Sequence, residues 1–433
     1  MKLVLKNIGM LKEAEINLES LSVIAGENDN GKSTVGKVVF CIIKAINRYK
    51  EDLQESKEFK INEIFEKVFF DLRREVFTLG TNTSEVLSKI KLLSEEGAEL
   101  EDRLVVLEEL NLRLKSNPEP DQELLKKLNQ HYEAIKKLAD EPENIRKSIE
   151  NALNKVFASE FDSSVLLNGA KEGFIKLYEK ELILIDIKIS DDNKVQLLND
   201  AEPIELKDAT FIESPLILNN HDLLIRSQSG LDVKKRNIHR LGIPYTTLHT
   251  KDLFDKLIEP SVVGFFDLDE EDESFTKYIA SASSGEVIYD RQKRDFVYQQ
   301  EGKDISIKNT ASGIKVFGIL QLLSNNGFIN KNSILIFDEP ENHLHPKWQL
   351  KLAKVLVDLA KHGLYILVSS HSPYMIEALK RFSDKQGLET EAGFYLAENN
   401  SIENRNRLED TFRVLSEPFE IFRKMDEELL SDE

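Results

Sequence analysis

Two kinds of apolar pattern alternate along the chain. Short, mostly apolar runs, Leu21 to Ala25, Ser333 to Phe337 and Leu364 to Val368, read as strands buried on both faces. Helical spacing follows the first run (Val35, Val38, Val39, Ile42, Ile43) and precedes the second (Val316, Phe317, Ile319, Leu320, Leu323). Strands of this kind beside amphipathic helices predict an α/β fold. From Gly173 to Pro215 the period changes: Phe174 to Tyr178 and Leu182 to Ile189 partly alternate, and Ser190-Asp191-Asp192-Asn193 is a turn, so an antiparallel sheet is expected. Gly285 to Tyr289 and Phe296 to Tyr298 flank a charged turn and read as another hairpin.

Residues 86–156 carry a helical period. Leu93, Leu100, Leu107 and Leu114 recur every seven residues with Leu104 between them. A return arm follows with Leu124, Leu128, Ile135, Leu138, Ile145 and Ile149, interrupted at His131 and Pro142. Ser116 to Asp121 separates the arms. The pattern predicts an antiparallel coiled-coil hairpin with arms of roughly 45 Å at 1.5 Å per residue. Two helices lying on the globular body are the alternative, and Pro142 is expected to kink or end the return helix. No role is assigned to residues 216–280.

The chemistry sits where the buried strands end. After Leu21 to Ala25 comes Gly26-Glu27-Asn28-Asp29-Asn30-Gly31-Lys32-Ser33-Thr34, a GxxxxGKS phosphate-binding loop in the strand-loop-helix setting it needs. Its glycines let successive N–H groups face phosphate oxygens, and the helix N-terminus adds its positive dipole end. Lys32 is expected on the β and γ phosphates, and the Ser33 hydroxyl on Mg²⁺. The run Ser333 to Phe337 delivers Asp338-Glu339-Pro340-Glu341; Asp338 suits the magnesium shell and Glu339 the base that polarises water. Leu364 to Val368 delivers Ser369-Ser370-His371. A histidine there reads equally as a surface residue, but its place after the carboxylate strand favours a γ-phosphate sensor. Ala311-Ser312-Gly313-Ile314-Lys315 opens an amphipathic helix, a simple cap or a second anion-binding terminus.

Taken in order, these four motifs resemble the ABC-type ATPases, in the branch shared by structural-maintenance-of-chromosomes proteins, RecF-like repair proteins and the overcoming-lysogenization-defect family. Glu341-Asn342-His343-Leu344-His345-Pro346 looks like the ExxLHP segment of the last of these. The resemblance covers the beginning and the last third of the chain. It implies a P-loop ABC-type ATPase head with an antiparallel β-subdomain and the helical hairpin inserted, using ATP and Mg²⁺. It also implies two facing heads, with Ser312, Gly313 and Lys315 of one copy capping the nucleotide on the phosphate loop (Gly26, Asn28, Asn30, Gly31, Lys32, Ser33, Thr34) of the other. The signature lacks the usual leading Leu-Ser. No glutamine-bearing loop is evident; Phe211 to Pro215 is the positional candidate, with Glu213 in the glutamine's place, or a plain strand end.

On this reading residues 1–80 and 301–433 are the two halves of the head, 81–157 the hairpin, and 158–300 a β-rich and mixed continuation. A length of 433 residues with 41% apolar content suffices for a large core and suggests two or three domains. The single cysteine, Cys41, on the apolar face after the loop, excludes an internal disulfide. No apolar run spans a membrane, and Met1 to Leu5 starts directly in a strand-like pattern, so a cytoplasmic protein is expected. A net charge of −19 generally repels nucleic acid. Lys234-Lys235-Arg236 with Arg240, and Arg291 with Lys293 and Arg294, are the local basic clusters, each a solvated face or a contact. Stand-alone ATPases of this size resemble the ATPase components of bacterial anti-phage systems, including the Septu and phage anti-restriction-induced types. That implies a homodimer or higher oligomer, a separately encoded nuclease effector, and a DNA or phage-protein trigger. The alternative is a RecF-like or structural-maintenance-of-chromosomes-like repair ATPase. The stretch after His371 is too short for a nuclease domain, and Glu389, Glu391, Glu403, Glu409 and Asp410 show no metal-ligand setting.

Overall fold

The computed structural model describes residues 1–49, 57–74, 83–93, 98–116, 121–140, 144–221, 224, 228–229, 245–260, 270–281, 283–405, 413, 423 and 425. The cluster Lys234 to Arg236 with Arg240, residues 117–120, Pro142, Glu409, Asp410 and the acidic stretch 426–433 lie outside the described residues. The chain divides into two compact units, residues 1–47 with 152–433, and residues 48–151.

The first unit is organised by an eleven-stranded mixed sheet. Its parallel half comprises β3 (Leu21–Gly26), β7 (Asp208–Ile212), β13 (Ser333–Asp338), β14 (Tyr365–Ser370) and β15 (Ala392–Glu398), in the order β15-β3-β14-β13-β7. All six residues of β3 are buried, as a mostly apolar run between two parallel neighbours requires. The other half is antiparallel: β6 (Val195–Leu197), β5 (Leu182–Ser190), β4 (Glu172–Glu179), β1 (Lys2–Ile8) and β2 (Leu11–Asn17) follow one another across the sheet. In β4 buried residues alternate with more exposed ones, so one face is packed and the other meets water. β16 (Ser401–Arg405) joins the halves, antiparallel to β15 and parallel to β2. The hairpin expected around residues 285–298 pairs Val287 with Tyr298 and extends to a third strand, Lys303–Ser306.

Helix α1 (Lys32–Asn47) packs on β7, β13, β14 and β3; Cys41 is buried on it as its place on the apolar face predicts, and burial extends beyond the predicted stripe to Phe40 and Ala45. The large core of this unit gathers the parallel strands with Phe254, Phe275, Phe317, Leu356 and Met375. No helix among the described residues is long and apolar enough to cross a membrane.

Among its described residues the second unit holds α2 (Lys57–Arg74), α3 (Thr83–Leu93), α4 (Leu100–Lys115) and α5 (Gln122–Asp140), besides the start of a further helix at Ile145. They pack as a compact cluster, α2 against α3 and α5, α4 against α3 and α5. This differs from a two-armed hairpin of long helices. Leu93 ends α3 and Leu100 begins α4, so the seven-residue repeat crosses two helices; α4, with 16 residues, is only about 24 Å long. The partner face is Ile61, Phe65, Val68 and Leu72 on α2, which packs with Leu107, Leu114, Leu124, Leu128 and Ile135 into a separate core. Buried Arg103 donates to the Leu93 carbonyl and to Asn62 Oδ1, and stacks over Phe65 at 3.9 Å. That one guanidinium satisfies a carbonyl and an amide oxygen on two further helices, and these acceptors with the Phe65 ring stand in for water around it. Ile145, expected on the hairpin seam, opens a further helix, α6 (Ile145–Glu160), and is 51% exposed.

Candidate nucleotide-binding site

Register places the site. Ala25 lies opposite Ser370, Ser369 opposite Asp338, and Phe337 opposite Ile212. One step beyond these pairs, at the carboxyl ends of four parallel strands, come Gly26, His371, Glu339 and Glu213. Open α/β sheets place ligands at this edge. A cleft of about 350 Å³ opens there, lined by Met10, Asn28, Asp29, Gly31, Lys32, Ser33, Thr34, Glu213, Asp338, Glu339 and Asn342.

Local geometry within the cleft is tight. Gly31 has φ 82°, and a Cβ there would come within 2.6 Å of Leu11 Cδ2, so the loop can curl over the sheet only with glycine. Lys32 is 4% exposed; its ammonium donates to the Glu27 carbonyl at 2.7 Å and lies 3.8 Å from Glu339 Oε1. Burial lowers the Lys32 pKa, and Glu339 and Asp338 oppose that shift. Ser33 Oγ donates to Asp338 Oδ1 at 2.9 Å, and Ser369 Oγ donates to the same oxygen. Burial raises the Asp338 pKa, with the two hydroxyls opposing it. Glu339 sits in the left-handed region at φ 49°, its N–H held by the Ser369 carbonyl at 2.9 Å. For a residue with a Cβ that conformation costs roughly 1 kcal/mol or more, and strain of this kind collects where a side chain must be aimed. Asn342 donates to Glu339 Oε2 at 3.0 Å, and His371 Nδ1 lies 3.3 Å from Glu339 Oε1.

Other expected residues stand elsewhere. Asn30 turns its amide to the Glu27 and Asn28 carbonyls and holds the loop's own shape. Gly26 closes β3 opposite Ala397. Ser312, Gly313 and Lys315 open the helix Ser312–Asn325 and do not line the cleft. A Cβ on Gly313 would reach the Trp348 indole at 2.5 Å, so that glycine lets the helix start lie flat on the ring. Ala311 caps this helix without a side-chain hydrogen bond.

One residue in the motifs had no assigned role. Glu341 is 5% exposed, and its Oε1 accepts from Ser370 Oγ at 2.7 Å, from the His371 N–H at 2.8 Å and from the Ser372 N–H at 3.0 Å. It thereby fixes the turn that carries His371. Its position three residues after Asp338 was visible in the sequence, but its three donors all come from a strand end thirty residues away.

The donor set fits a nucleoside triphosphate with a divalent metal: a buried ammonium at the loop, a hydroxyl already paired to a carboxylate, and a helix N-terminus with no acid in its first turn. These features define a P-loop nucleoside triphosphatase. A family model described as the AAA ATPase domain matches residues 1–376, and the chain belongs to that family. Over 94 residues it is 31% identical to an uncharacterised protein, MJ1542, of Methanocaldococcus jannaschii; the match takes in 22% of this chain and 11% of that protein. Among solved structures, an Smc head bound to the C-terminal winged-helix domain of ScpA aligns at 10% identity with TM-score 0.40, over 95% of this chain and 98% of the other. The head domain of a structural-maintenance-of-chromosomes protein from Thermotoga maritima aligns at 11% identity with TM-score 0.36, over 93% and 96%.

Proposed function

We propose that the chain is an ATP-hydrolysing ABC-type head whose nucleotide site is completed by a second copy, so that nucleotide occupancy is read out as association. The observation that carries this reading is the separation of the motifs. Lys32, Ser33, Asp338 and Glu339 converge on one cleft, whereas Ser312, Gly313 and Lys315 present a helix N-terminus outside it.

Within the cleft each residue has a role set by its chemistry. Lys32 meets the β and γ phosphates. Ser33 and Asp338 would hold Mg²⁺, which when bound neutralises phosphate charge. Glu339, aimed by its strained backbone and by Asn342, takes a proton from the attacking water. His371, fixed by Glu341, faces Glu339 and contacts the terminal phosphate. The output goes to a separately encoded nuclease effector, in anti-phage defence, with DNA or a phage protein as trigger. The exposed basic turn at Arg291 to Arg294 gives little support to direct DNA binding as in RecF-like repair, because Lys293 is paired with Asp290 and Asp304.

The test is the mass of Glu339→Gln in solution with and without ATP and Mg²⁺, repeated in the presence of the product of the neighbouring gene. A doubling of mass with ATP supports the reading, and co-migration of the neighbour supports the effector. An unchanged monomer mass at saturating nucleotide would overturn the shared site.

A further inference from the structure

Behind the cleft lies an acid-histidine-acid chain, buried at Glu160 and His249 and exposed at Glu213, that the mechanism above leaves unused. His249 stands in the first turn of α7 (Leu248–Ile258) and is 2% exposed. Its Nδ1 is 2.5 Å from Glu160 Oε2, and its Nε2 is 3.3 Å from Glu213 Oε2. Glu160, the last residue of α6, is 4% exposed; its other oxygen accepts from the His249 N–H at 2.9 Å, while the neighbouring Ser159 hydroxyl accepts from the Leu248 N–H. A carboxylate therefore caps α7 and grips the ring on that helix with its second oxygen. Phe40 of α1 and Phe211 of β7 enclose the ring, with centroids at 6.3 and 4.7 Å.

We propose that His249, clamped by Glu160, is a positioning residue that fixes the Glu213 carboxylate at the cleft as a stationary acceptor for water or for the metal's hydration shell. The inference rests on the triphosphatase reading of that cleft. Glu213 directly follows β7 and lines the cleft beside Asp338 and Glu339, yet it is an exposed side chain free to rotate without its buried anchor His249. An ionised carboxylate cannot donate to phosphate oxygens, so its available partners are water and a divalent cation. The His249 hydrogen bond keeps Glu213 ionised, lowering its pKa against the effect of burial. Burial pulls the His249 pKa down, but Glu160 and Glu213 outweigh it and carry it to about 9. The other titratable or charged groups acting here are Cys41 and Lys37 of α1, which interact with Glu160 or Glu213 and with each other, and Asp338 of β13, which interacts with Glu213.

Two measurements test this. In nucleotide-free protein the ¹⁵N resonances of the His249 ring are expected to be those of an imidazolium at about pH 8, reverting to a neutral ring in Glu160→Gln. A neutral ring in the parent at that pH overturns the proposal, whatever the fate of the ATPase reading. In kinetics, His249→Gln and Glu213→Gln are each expected to lower kcat about tenfold while leaving the Kd of a non-hydrolysable ATP analogue within about twofold, and the double variant to lose no more than either single one. Multiplied losses in the double variant, or a Kd that rises as much as kcat falls, reduce His249 to a packing residue. Glu213 is exposed, so its single variant tests the acceptor even where His249→Gln folds poorly. A parent without any ATP hydrolysis removes the function proposed for the cleft, and the NMR result still judges the clamp by itself.

Discussion

Helix α1 carries a charge cluster at each end, and the two behave in opposite ways. At its start, one ammonium, Lys32, faces Asp338, Glu339 and a glycine loop around an open cleft. Toward its end, Lys44 joins a closed ring: Lys44 Nζ lies 2.8 Å from Asp208 and 2.5 Å from Asp252, and Lys256 Nζ lies 2.6 Å from Asp208 and 3.0 Å from Asp252. Lys256 also donates to the Ala209 carbonyl and to Thr210 Oγ1. Two cations alternate with two anions, so the ring is neutral and has no capacity left for a ligand. Burial alone would raise the Asp208 pKa, but Lys256 and Lys44 more than offset it and hold the carboxyl below the usual range. In the cleft the charges do not match: Lys32 lines it together with Asp29, Glu213, Asp338 and Glu339, so carboxylates outnumber the ammonium. Buried charge that is fully matched builds structure, whereas buried charge that is left short marks where a ligand supplies the remainder.

The contrast can be broken experimentally, beginning with its most severe form. Lys256→Ala leaves Asp208 and Asp252 sharing one cation and is expected to cost about 3–5 kcal/mol in denaturant unfolding, with nucleotide affinity retained by the folded fraction. Lys32→Ala is expected to do the reverse, weakening ATP binding by at least about 100-fold, or about 2.7 kcal/mol, with no loss of melting temperature; calorimetric titration beside thermal unfolding separates the two. If Lys32→Ala unfolds the protein instead, the cleft is a structural cluster like the ring. Ser312→Arg touches neither cluster and is expected to leave binding to a single copy unchanged while lowering hydrolysis about tenfold or more, seen as loss of the concentration dependence of the specific rate. A further effect is one of pH. Because His249 has a folded-state pKa of about 9 against about 6.5 unfolded, its contribution is complete below about pH 6.5 and declines as pH rises toward 9. That contribution is on the order of 3 kcal/mol. The melting temperature of the parent is therefore expected to fall over this window more steeply than that of His249→Gln, and parallel curves would remove the charged ring from the account.

Much of the parallel half was legible in the sequence because its signals are local. A glycine loop after an apolar run, and acids or a histidine at the ends of other runs, announce strand ends without reference to anything distant. The antiparallel wing was readable for the same reason, from alternation and from the turn at Ser190 to Asn193. What stayed hidden depends on separations the pattern does not encode. Lys44 and Asp208 lie 164 residues apart, and His249 meets Glu160 across 89. As single charges in apolar surroundings each read as an ordinary helix or strand residue. The helical unit was misread in shape for a related reason: the leucine repeat was visible, but the Ile61, Phe65, Val68 and Leu72 face that covers it belongs to a helix outside the repeat. Glu213 lay between; its place suggested either a stand-in for the glutamine or a plain strand end, and the register of β7 beside β13 brings it to the cleft.

The order of strands bears on how the chain is made. β3, which carries the phosphate loop, is flanked by β14 and β15, and β2 is joined to the rest through β16. A nascent chain therefore displays a strand that is fully buried in the finished fold, with both edges bare until β14 is made and one edge bare until β15 ends at Glu398. Such an edge invites association with other chains, so the molecule is most vulnerable to aggregation during translation, and a product ending before β14 would carry that hazard permanently.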